Sequence, residues 1–257
     1  MKPRLITAAI LVPLVVAAIW WLPQRALAWL LVAVFSACAW EYSTVNRLGS
    51  RPWVYAALIA GASVAALGLV SAPMAAELLL LASVATVAIW VVGSRLPMDR
   101  RAGAAAIAGF GVAYFVVAIQ AMVTIRVHGP QLLLLLVAIV ALGDSAAYYV
   151  GRAFGQRKLA PVLSPNKTWV GFAASLASAI LVCGVWAVWR GLDVPAWLLI
   201  GLVTNLGAQG GDLLESAFKR RSGVKDSGDL LPGHGGIWDR IDAILLAAPA
   251  FAVLLPK

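Results

Sequence analysis

The sequence predicts an all-α membrane protein, a polytopic bundle of about nine transmembrane helices. Of its 257 residues, 62% are hydrophobic and only 12% are charged, whereas a soluble domain is about 25% charged. The apolar runs are near-continuous over about 17 to 22 residues, which fits membrane helices, and they do not alternate as barrel strands do. This composition excludes a soluble globular protein, a disordered chain and a coiled coil.

Each predicted span is an apolar run long enough to cross a hydrocarbon core about 30 Å thick. Prolines or short charged loops separate the runs. The first run follows Lys2 and Arg4 as a signal sequence would. It is long for a signal sequence and a second span follows at once, so we expect it to be retained. The predicted spans are residues 5–22, 26–42, 53–70, 75–92, 104–125, 132–149, 169–189, 197–217 and 238–255.

The distribution of Lys and Arg predicts a cytosolic N-terminus. In that orientation the inside segments hold 16 of the 20 basic residues, as the positive-inside rule requires. This asymmetry accounts for most of the net charge of +9, so no nucleic-acid partner is needed to explain it. A bacterial inner membrane fits the asymmetry and the small chain, and an organelle membrane stays an alternative. The outside basic residues are Arg25, Arg126, Arg190 and Lys257.

A polar stripe runs along the eighth predicted span. Its members recur at steps of three and four, so they share one helix face. Ionisable groups in a membrane helix are costly and mark a functional site that faces the protein interior. Gly207 and Gly211 form a G-x-x-x-G pattern, which explains helix packing but not Asp212. The stripe consists of Asn205, Gln209, Asp212, Ser216 and Lys219.

A glycine-rich loop at residues 222–236 leads into the last predicted span. Consecutive glycines before a helix can present backbone N–H groups to a phosphate. Asp239 and Asp242 then share one face of the helix. Carboxylates from two helices can hold a divalent cation, and nearby Lys and Arg can neutralise phosphate oxygens. This combination predicts metal-assisted phosphoryl or nucleotidyl chemistry.

A third polar element lies upstream, at the end of the sixth predicted span. Asp144, Tyr148 and Arg152 recur at steps of four and share a face. A basic loop follows, and it ends in Ser164-Pro165-Asn166-Lys167-Thr168 just before the seventh span. Positive-inside loop charge is the alternative explanation for its lysines. In this topology all three polar elements reach the cytosolic rim, where a nucleotide is available.

Three segments near this rim form longer patterns. The longest reads Ser216-x-x-Lys219-Arg220, then Lys225-Asp226, then His234-Gly235-Gly236-x-x-Asp239-Arg240-x-Asp242. The others are residues 144–155 and the Ser164-to-Thr168 segment. Together they resemble the shared segments of phosphatidate cytidylyltransferases (CDP-diacylglycerol synthases), and the resemblance covers about residues 140 to 245. One departure is Val170, where the family often has Glu, and this leaves that position without an assigned role.

The resemblance implies that CTP and phosphatidic acid react to give CDP-diacylglycerol and pyrophosphate. It also implies Mg²⁺ as cofactor, a second cation such as K⁺, and a homodimer. Asp212 and Asp239 are the implied metal ligands. The implied catalytic residues are Asp212, Asp239, Lys219, Lys225 and Asp144. The implied substrate-binding residues are Ser164, Lys167, Thr168, Ser216, Arg220, Asp226, His234, Gly235, Gly236, Arg240 and Asp242.

Several individual roles stay open at this point. His234 either donates to a phosphate as a general acid or shapes the Gly-Gly turn. Residues 1–130 are interpreted as a transmembrane scaffold with surface for a dimer, and residues 131–257 as the catalytic region. Cys38 and Cys183 are interpreted as structural because neither has metal-ligand spacing, and His128 is interpreted as structural because it is predicted to lie in an outer loop.

Other classes of membrane protein fit the sequence less well. A polyprenol or dolichol kinase is similar in fold but should lack the full signature. A CDP-alcohol phosphatidyltransferase would show D-G-x-x-A-R, which this sequence lacks. A transporter predicts midplane sites and often inverted repeats, whereas the charges here gather at one rim. A purely structural subunit gives no reason for Asp144 and Asp212 inside helices.

Overall fold

A computed structural model of the chain describes residues 2–48, 51–68, 85, 87, 97–230 and 235–256. Over these residues its secondary structure is α-helical apart from one short β-hairpin. The helices are α1 (Lys2–Trp21), α2 (Gln24–Val45), α3 (Pro52–Gly68), α4 (Met98–His128), α5 (Pro130–Phe154), α6 (Trp169–Arg190), α7 (Val194–Arg221) and α8 (Trp238–Leu254), and the strands are β1 (Lys158–Ala160) and β2 (Ser164–Thr168).

Four described helices are long and apolar enough to cross a membrane, which confirms an all-α integral membrane protein. Helices α7 and α8 are not among these four. Helix α7 has 28 residues but carries the polar stripe, and α8 has only 17 residues. The predicted span at residues 75–92 falls outside the described residues apart from residues 85 and 87. The count of nine spans and the cytosolic N-terminus stay predictions. The four helices are Gln24–Val45, Asp99–His128, Pro130–Phe154 and Trp169–Arg190.

The chain divides into two compact units. Unit 1 comprises Met1–Val123 and Arg221–Ile241, and unit 2 comprises Thr124–Arg220 and Asp242–Lys257. The glycine-rich loop and the first turn of α8 therefore belong to unit 1, together with the N-terminal helices. The functional division into residues 1–130 and 131–257 stays a prediction.

The core of unit 1 forms around Tyr42 of α2. Its ring centre lies 5.2 Å from that of Trp238 and 5.6 Å from that of Phe115. The hydroxyls of Tyr42 and Tyr55 each donate a hydrogen bond of 2.7 Å to a backbone carbonyl of α4, as buried tyrosines require. Gly111 permits this packing because a Cβ atom there would overlap both tyrosines. Helices α2, α3 and α4 and the start of α8 thus share one aromatic core.

Close helix contacts in unit 2 occur at glycines. A Cβ atom at Gly211 of α7 would lie 2.5 Å from the carbonyl oxygen of Asp242, and one at Gly207 would lie 2.9 Å from that of Leu246. The two glycines therefore let α7 pack directly against α8, which confirms the packing interpretation of the G-x-x-x-G pattern. This close approach brings the backbones of α7 and α8 together beside Asp212.

The segment between α5 and α6 differs from the predicted basic loop. Helix α5 continues to Phe154, and β1 and β2 then pair as an antiparallel hairpin with Lys158 opposite Thr168 and Ala160 opposite Ser164. Strands of three and five residues are too short to show the two-residue alternation by which strands are predicted. The hairpin matters because it gives the predicted Ser164-to-Thr168 segment a defined backbone.

Candidate active site

Three aspartates from three helices interact within unit 2. Asp144 of α5 and Asp242 of α8 each interact electrostatically with Asp212 of α7, and Asp242 also interacts with Asp144. Like charges repel each other more strongly where bulk water is partly excluded. Such a cluster therefore needs nearby positive charge, which Lys167 and Lys219 supply.

Lys167 is the cation paired with Asp212. Its Nζ lies 2.7 Å from Asp212 Oδ2, and the two side chains are 20% and 30% exposed. The next residue, Thr168, is the N-cap of α6, and its buried hydroxyl accepts a hydrogen bond from the Gly171 N–H at 3.1 Å. Strand pairing and this cap together fix the backbone position from which the Lys167 side chain extends. The structure thus gives Thr168, predicted to bind substrate, a clear role in ending the hairpin.

Lys219 is paired with an acid that the sequence analysis did not single out. Its Nζ lies 2.7 Å from Glu215 Oε2, and the Glu215 side chain is only 2% exposed. Lys219 also interacts with Asp242. The signal that was missed is the spacing, because an acid four residues before a lysine on a helix is placed to pair with it. Glu215 therefore belongs to the site as the group that holds Lys219.

The polar stripe of α7 faces the interior of unit 2, as predicted. Asn205 and Gln209 are buried, whereas Leu206 between them is 45% exposed. Asn205 Nδ2 donates a hydrogen bond of 2.9 Å to the Ser175 hydroxyl of α6. Gly143 of α5 leaves space for this bond, since a Cβ atom there would lie 2.8 Å from Nδ2. The polar side of α7 is thus tied to α6 immediately beside α5.

Asp239 lies in unit 1 and binds backbone N–H groups. Its Oδ2 accepts hydrogen bonds from the Ser227 N–H at 3.0 Å and the Gly236 N–H at 2.9 Å. Gly235 has a φ of +79°, which glycine adopts without steric cost. A Cβ atom there would lie 2.7 Å from Asp239 Oδ2. Asp239 therefore closes the glycine-rich loop onto the start of α8, and its predicted role as a metal ligand stays a prediction.

Glu41 of α2 binds the same loop from another helix of unit 1. Its Oε2 accepts hydrogen bonds from the Ser227 hydroxyl at 2.7 Å and the Trp238 N–H at 2.9 Å. Its Oε1 accepts one from the Ile237 N–H at 3.0 Å. Glu41 is 5% exposed. Glu41 is not among the residues predicted from sequence, although it lies inside the predicted span 26–42 and satisfies the rule applied to Asp212.

The remaining predicted residues occupy less constrained positions. Arg220 donates from Nε to the Leu163 carbonyl oxygen at 3.3 Å, which connects the end of α7 to the hairpin of unit 2. Ser216 is partly buried on α7, and Ser164 opens β2. In unit 1, the exposed predicted residues are Lys225, Asp226 and Arg240.

The two histidines have different outcomes. His234 falls outside the described residues, so both interpretations of it stay open. His128 is exposed in the last turn of α4, and its Nδ1 lies 3.0 Å from the Thr124 carbonyl oxygen. This contact fits the structural interpretation of His128.

The donor chemistry of the acids fits a hard divalent cation. Mg²⁺ prefers carboxylate oxygens and water as ligands, and unit 2 provides the carboxylates of Asp144, Asp212 and Asp242. Among the residues that the structure describes, no three His, Cys, Asp or Glu side chains are arranged as a finished metal site. In unit 2, Lys167 contacts one of the oxygens that a cation at Asp212 would use.

Fold and site together define an integral membrane protein with a site of acids and lysines suited to cations and phosphates. The chain belongs to the Cytidylyltransferase family, whose sequence profile matches residues 2–256. This finding confirms the family identified from the three sequence segments.

Individual relatives match the chain over part of its length. A phosphatidate cytidylyltransferase of Staphylococcus saprophyticus is 40% identical over 146 residues, or 56% of each chain. One of Staphylococcus epidermidis is 43% identical over 146 residues, again 56% of each chain. One of Haemophilus influenzae is 42% identical over 131 residues, 49% of this chain and 46% of that protein. The chain thus spans about half the length of the curated relatives it matches.

Proposed function

We propose that the protein transfers a cytidylyl group from CTP to phosphatidic acid, which yields CDP-diacylglycerol and pyrophosphate for phospholipid biosynthesis. The observation that carries this proposal is the group of Asp144, Asp212 and Asp242 with Lys167 and Lys219 in unit 2. Family membership and the names of the partial relatives point in the same direction.

The proposed reaction is a single displacement at phosphorus. An oxygen of the lipid phosphate attacks the α-phosphorus of CTP. The bond from the α-phosphorus to the oxygen that bridges to the β-phosphorus breaks, and pyrophosphate leaves with that electron pair. The attacking phosphate is already anionic, so the step requires no general base. Catalysis then consists of positioning the two substrates and neutralising their charge.

The basic residues are proposed to hold phosphates of CTP or of the lipid. Lys167 and Lys219 each contact a carboxylate at 2.7 Å, so each has an anionic partner that a substrate phosphate can replace or share. Arg220 and Lys225 are exposed and available to the same ligands. The hydroxyls of Ser164 and Ser216 would donate hydrogen bonds to phosphate or to water.

Asp212 and Asp239 are proposed to hold Mg²⁺, with a second cation such as K⁺ at the same site. When bound, Mg²⁺ would neutralise phosphate oxygens of CTP and of the leaving pyrophosphate. Asp144, Asp226 and Asp242 are proposed to bind cations, to orient the basic residues or to contact the nucleotide. Each of these assignments is a prediction that substitution and metal titration can test.

The direct test is an assay of the purified protein in detergent with CTP labelled at the α-phosphate, phosphatidic acid and Mg²⁺. We expect label in a CDP-lipid and one pyrophosphate released for each CDP-lipid formed. The absence of a CDP-lipid across several detergents and divalent cations would overturn the proposal.

The same assay, repeated with a polyprenol as the acceptor lipid, separates the nearest alternative, a CTP-dependent polyprenol kinase. A kinase transfers the γ-phosphate, so it releases CDP and leaves no label from the α-phosphate in lipid. The cytidylyl transfer proposed here instead places the α-phosphate in the lipid and releases pyrophosphate. A phosphorylated polyprenol product together with CDP would therefore favour the kinase.

The cellular setting is also proposed. A bacterial inner membrane, with the charged site at the cytosolic rim, gives access to both CTP and membrane lipid. A homodimer through the apolar helices of residues 1–130 is proposed as the assembly. Cross-linking in native membranes, followed by mass determination in detergent, tests the dimer, and a monomer in both measurements would contradict it.

A further inference from the structure

We propose that Glu41 is a positioning residue for this reaction. Its buried carboxylate on α2 fixes the start of α8 and the glycine-rich loop that leads into it. The inference rests on the proposed function, because the loop and α8 carry residues assigned there to substrate and metal.

Glu41 acts as a helix cap supplied by a different helix. The first N–H groups of an α-helix have no partner within the helix. Glu41 accepts hydrogen bonds from two N–H groups at the start of α8, those of Ile237 at 3.0 Å and Trp238 at 2.9 Å. A carboxylate is also favoured there by the positive end of the helix dipole. These bonds connect Glu41 to residues that lie 196 and 197 positions later in the chain.

Residues 227, 228 and 236 of the loop lie close to the Glu41 carboxylate. A Cβ atom at Gly228 would lie 2.9 Å from Glu41 Oε1, and one at Gly236 would overlap both Glu41 and the Ser227 hydroxyl. Only residues without a side chain let the backbone approach a buried acid so closely. The absence of a side chain at Gly228 and Gly236 is therefore explained by the close approach of Glu41.

Ser227 links Glu41 to Asp239. Its hydroxyl donates to Glu41 Oε2 at 2.7 Å, and its backbone N–H donates to Asp239 Oδ2 at 3.0 Å. Asp239 follows directly after Trp238, whose N–H also binds Glu41. Glu41 thus holds the backbone on both sides of the Asp239 carboxylate, through Ser227 and through Trp238. Any displacement of these contacts changes where Asp239 points.

The donor pattern requires a carboxylate rather than an amide. Both Glu41 oxygens act only as acceptors, and their partners in the structure are two N–H groups and one hydroxyl. In Glu41→Gln one oxygen becomes an NH₂ group, which donates hydrogen bonds and therefore opposes one of these donors. This variant keeps the volume of the side chain while it removes part of the anchor.

The experiment compares Glu41→Gln with Tyr55→Phe in the full-length protein. Tyr55→Phe is a matched control because it also removes one buried hydrogen bond in unit 1, but the partner of that bond is the Ala108 carbonyl oxygen of α4 and not the loop. A displacement of about 1 Å can lower a rate about 100-fold. We expect Glu41→Gln to lower kcat about 10-fold to 100-fold at temperatures where it is folded, with KM values for both substrates within about threefold. Tyr55→Phe should retain kcat.

Hydrogen–deuterium exchange provides a readout that does not depend on activity. In Glu41→Gln, peptides that cover residues 235–239 should exchange about 10-fold faster than in Tyr55→Phe, while peptides of α2 and α4 stay protected. A kcat equal to that of Tyr55→Phe, or unchanged exchange at residues 235–239, would overturn the positioning role. If Glu41→Gln does not fold, the kcat of Ser227→Ala tests the positioning role instead. This substitution removes one contact, and a smaller loss of kcat in the same direction supports the role, whereas unchanged kcat contradicts it.

A double substitution separates the anchor from general damage to the protein. If Glu41 and Ser227 act together, Glu41→Gln with Ser227→Ala should lose little more kcat than Glu41→Gln alone. Losses that simply multiply would contradict the linkage. Failure of the wild-type protein to form a CDP-lipid would instead contradict the proposed function, and the exchange measurement would still report whether Glu41 anchors the loop.

Discussion

Acidic side chains have different partners in the two units. In unit 2, Asp212 and Glu215 each contact a lysine at 2.7 Å. In unit 1, Asp239 and Glu41 instead bind backbone N–H groups and a serine hydroxyl. A lysine can turn toward an incoming phosphate without moving the backbone, whereas a backbone N–H can change partner only if the loop moves. Asp212 and Glu215 are therefore suited to handle ligands, whereas Glu41 and Asp239 hold the shape of the loop, and Asp239 is in addition a proposed metal ligand.

The variant with the largest expected effect tests whether Asp212 of unit 2 handles ligands. Asp212→Asn removes the charge at the centre of the unit 2 cluster and should lower kcat by at least about 100-fold. The pair with Lys167 is partly exposed, so the free energy of unfolding should fall by only about 0–1 kcal/mol. Assay of CDP-lipid formation and thermal unfolding in detergent check the two values. Leu206→Ala on the same helix is the control, and full activity of Asp212→Asn would contradict the assignment.

Asp239→Asn should combine a loss of activity with a loss of stability. The amide oxygen can take the place of Oδ2, but the NH₂ group then takes the place of Oδ1, which accepts from the Ser227 N–H at 3.2 Å, and two donors face each other there. We expect kcat to fall about 100-fold and the free energy of unfolding to fall by about 1–2 kcal/mol. Its unfolding temperature should therefore lie below that of Asp212→Asn. The reverse order of these two temperatures would show that the comparison between the units is wrong.

Gly211→Ala tests whether the close contact of α7 and α8 keeps Asp212 and Asp242 in place. The new Cβ atom would lie 2.5 Å from the Asp242 carbonyl oxygen, so the helices must separate. We expect a loss of about 1–3 kcal/mol in the free energy of unfolding and a loss of about 10-fold in kcat. Gly210→Ala is the matched control, because its Cβ would lie 3.9 Å from the nearest atom, Leu246 Cδ1. Equal effects of the two variants would contradict this account.

The sequence predicted those features that depend on local pattern. Steps of three and four residues predicted the inward face of α7, on which Asn205 is buried while Leu206 is exposed. The G-x-x-x-G pattern predicted a close helix contact at Gly207 and Gly211, and its partner proved to be α8. The inward face and the glycine pattern both lie within α7, so each can be predicted without knowledge of residues elsewhere in the chain.

Features that depend on distant residues escaped prediction. The bond between Glu41 and Ser227 joins positions 186 residues apart, and no spacing rule connects them. The hairpin is too short for a periodic pattern, and the pairing of Lys167 with Asp212 joins it to a helix much later in the chain. The sequence indicated Lys167 and Asp212 individually, but only the folded chain shows that they are partners.

The variant with the smallest expected effect tests whether unit 1 can be stabilised without a change in activity. Arg47 follows α2 with a φ of +52°, and the bonds from its N–H to Thr44 and from the Leu48 N–H to Ser43 form a helix end that favours glycine. Arg47→Gly should raise the free energy of unfolding by about 0.5–1 kcal/mol and leave kcat unchanged. Asn46→Gly is the control, because its φ of −82° gives glycine no advantage and its side-chain bond to Tyr42 is lost. Thermal unfolding should therefore rise for Arg47→Gly and fall for Asn46→Gly, and a fall in both would show that the left-handed position carries no strain.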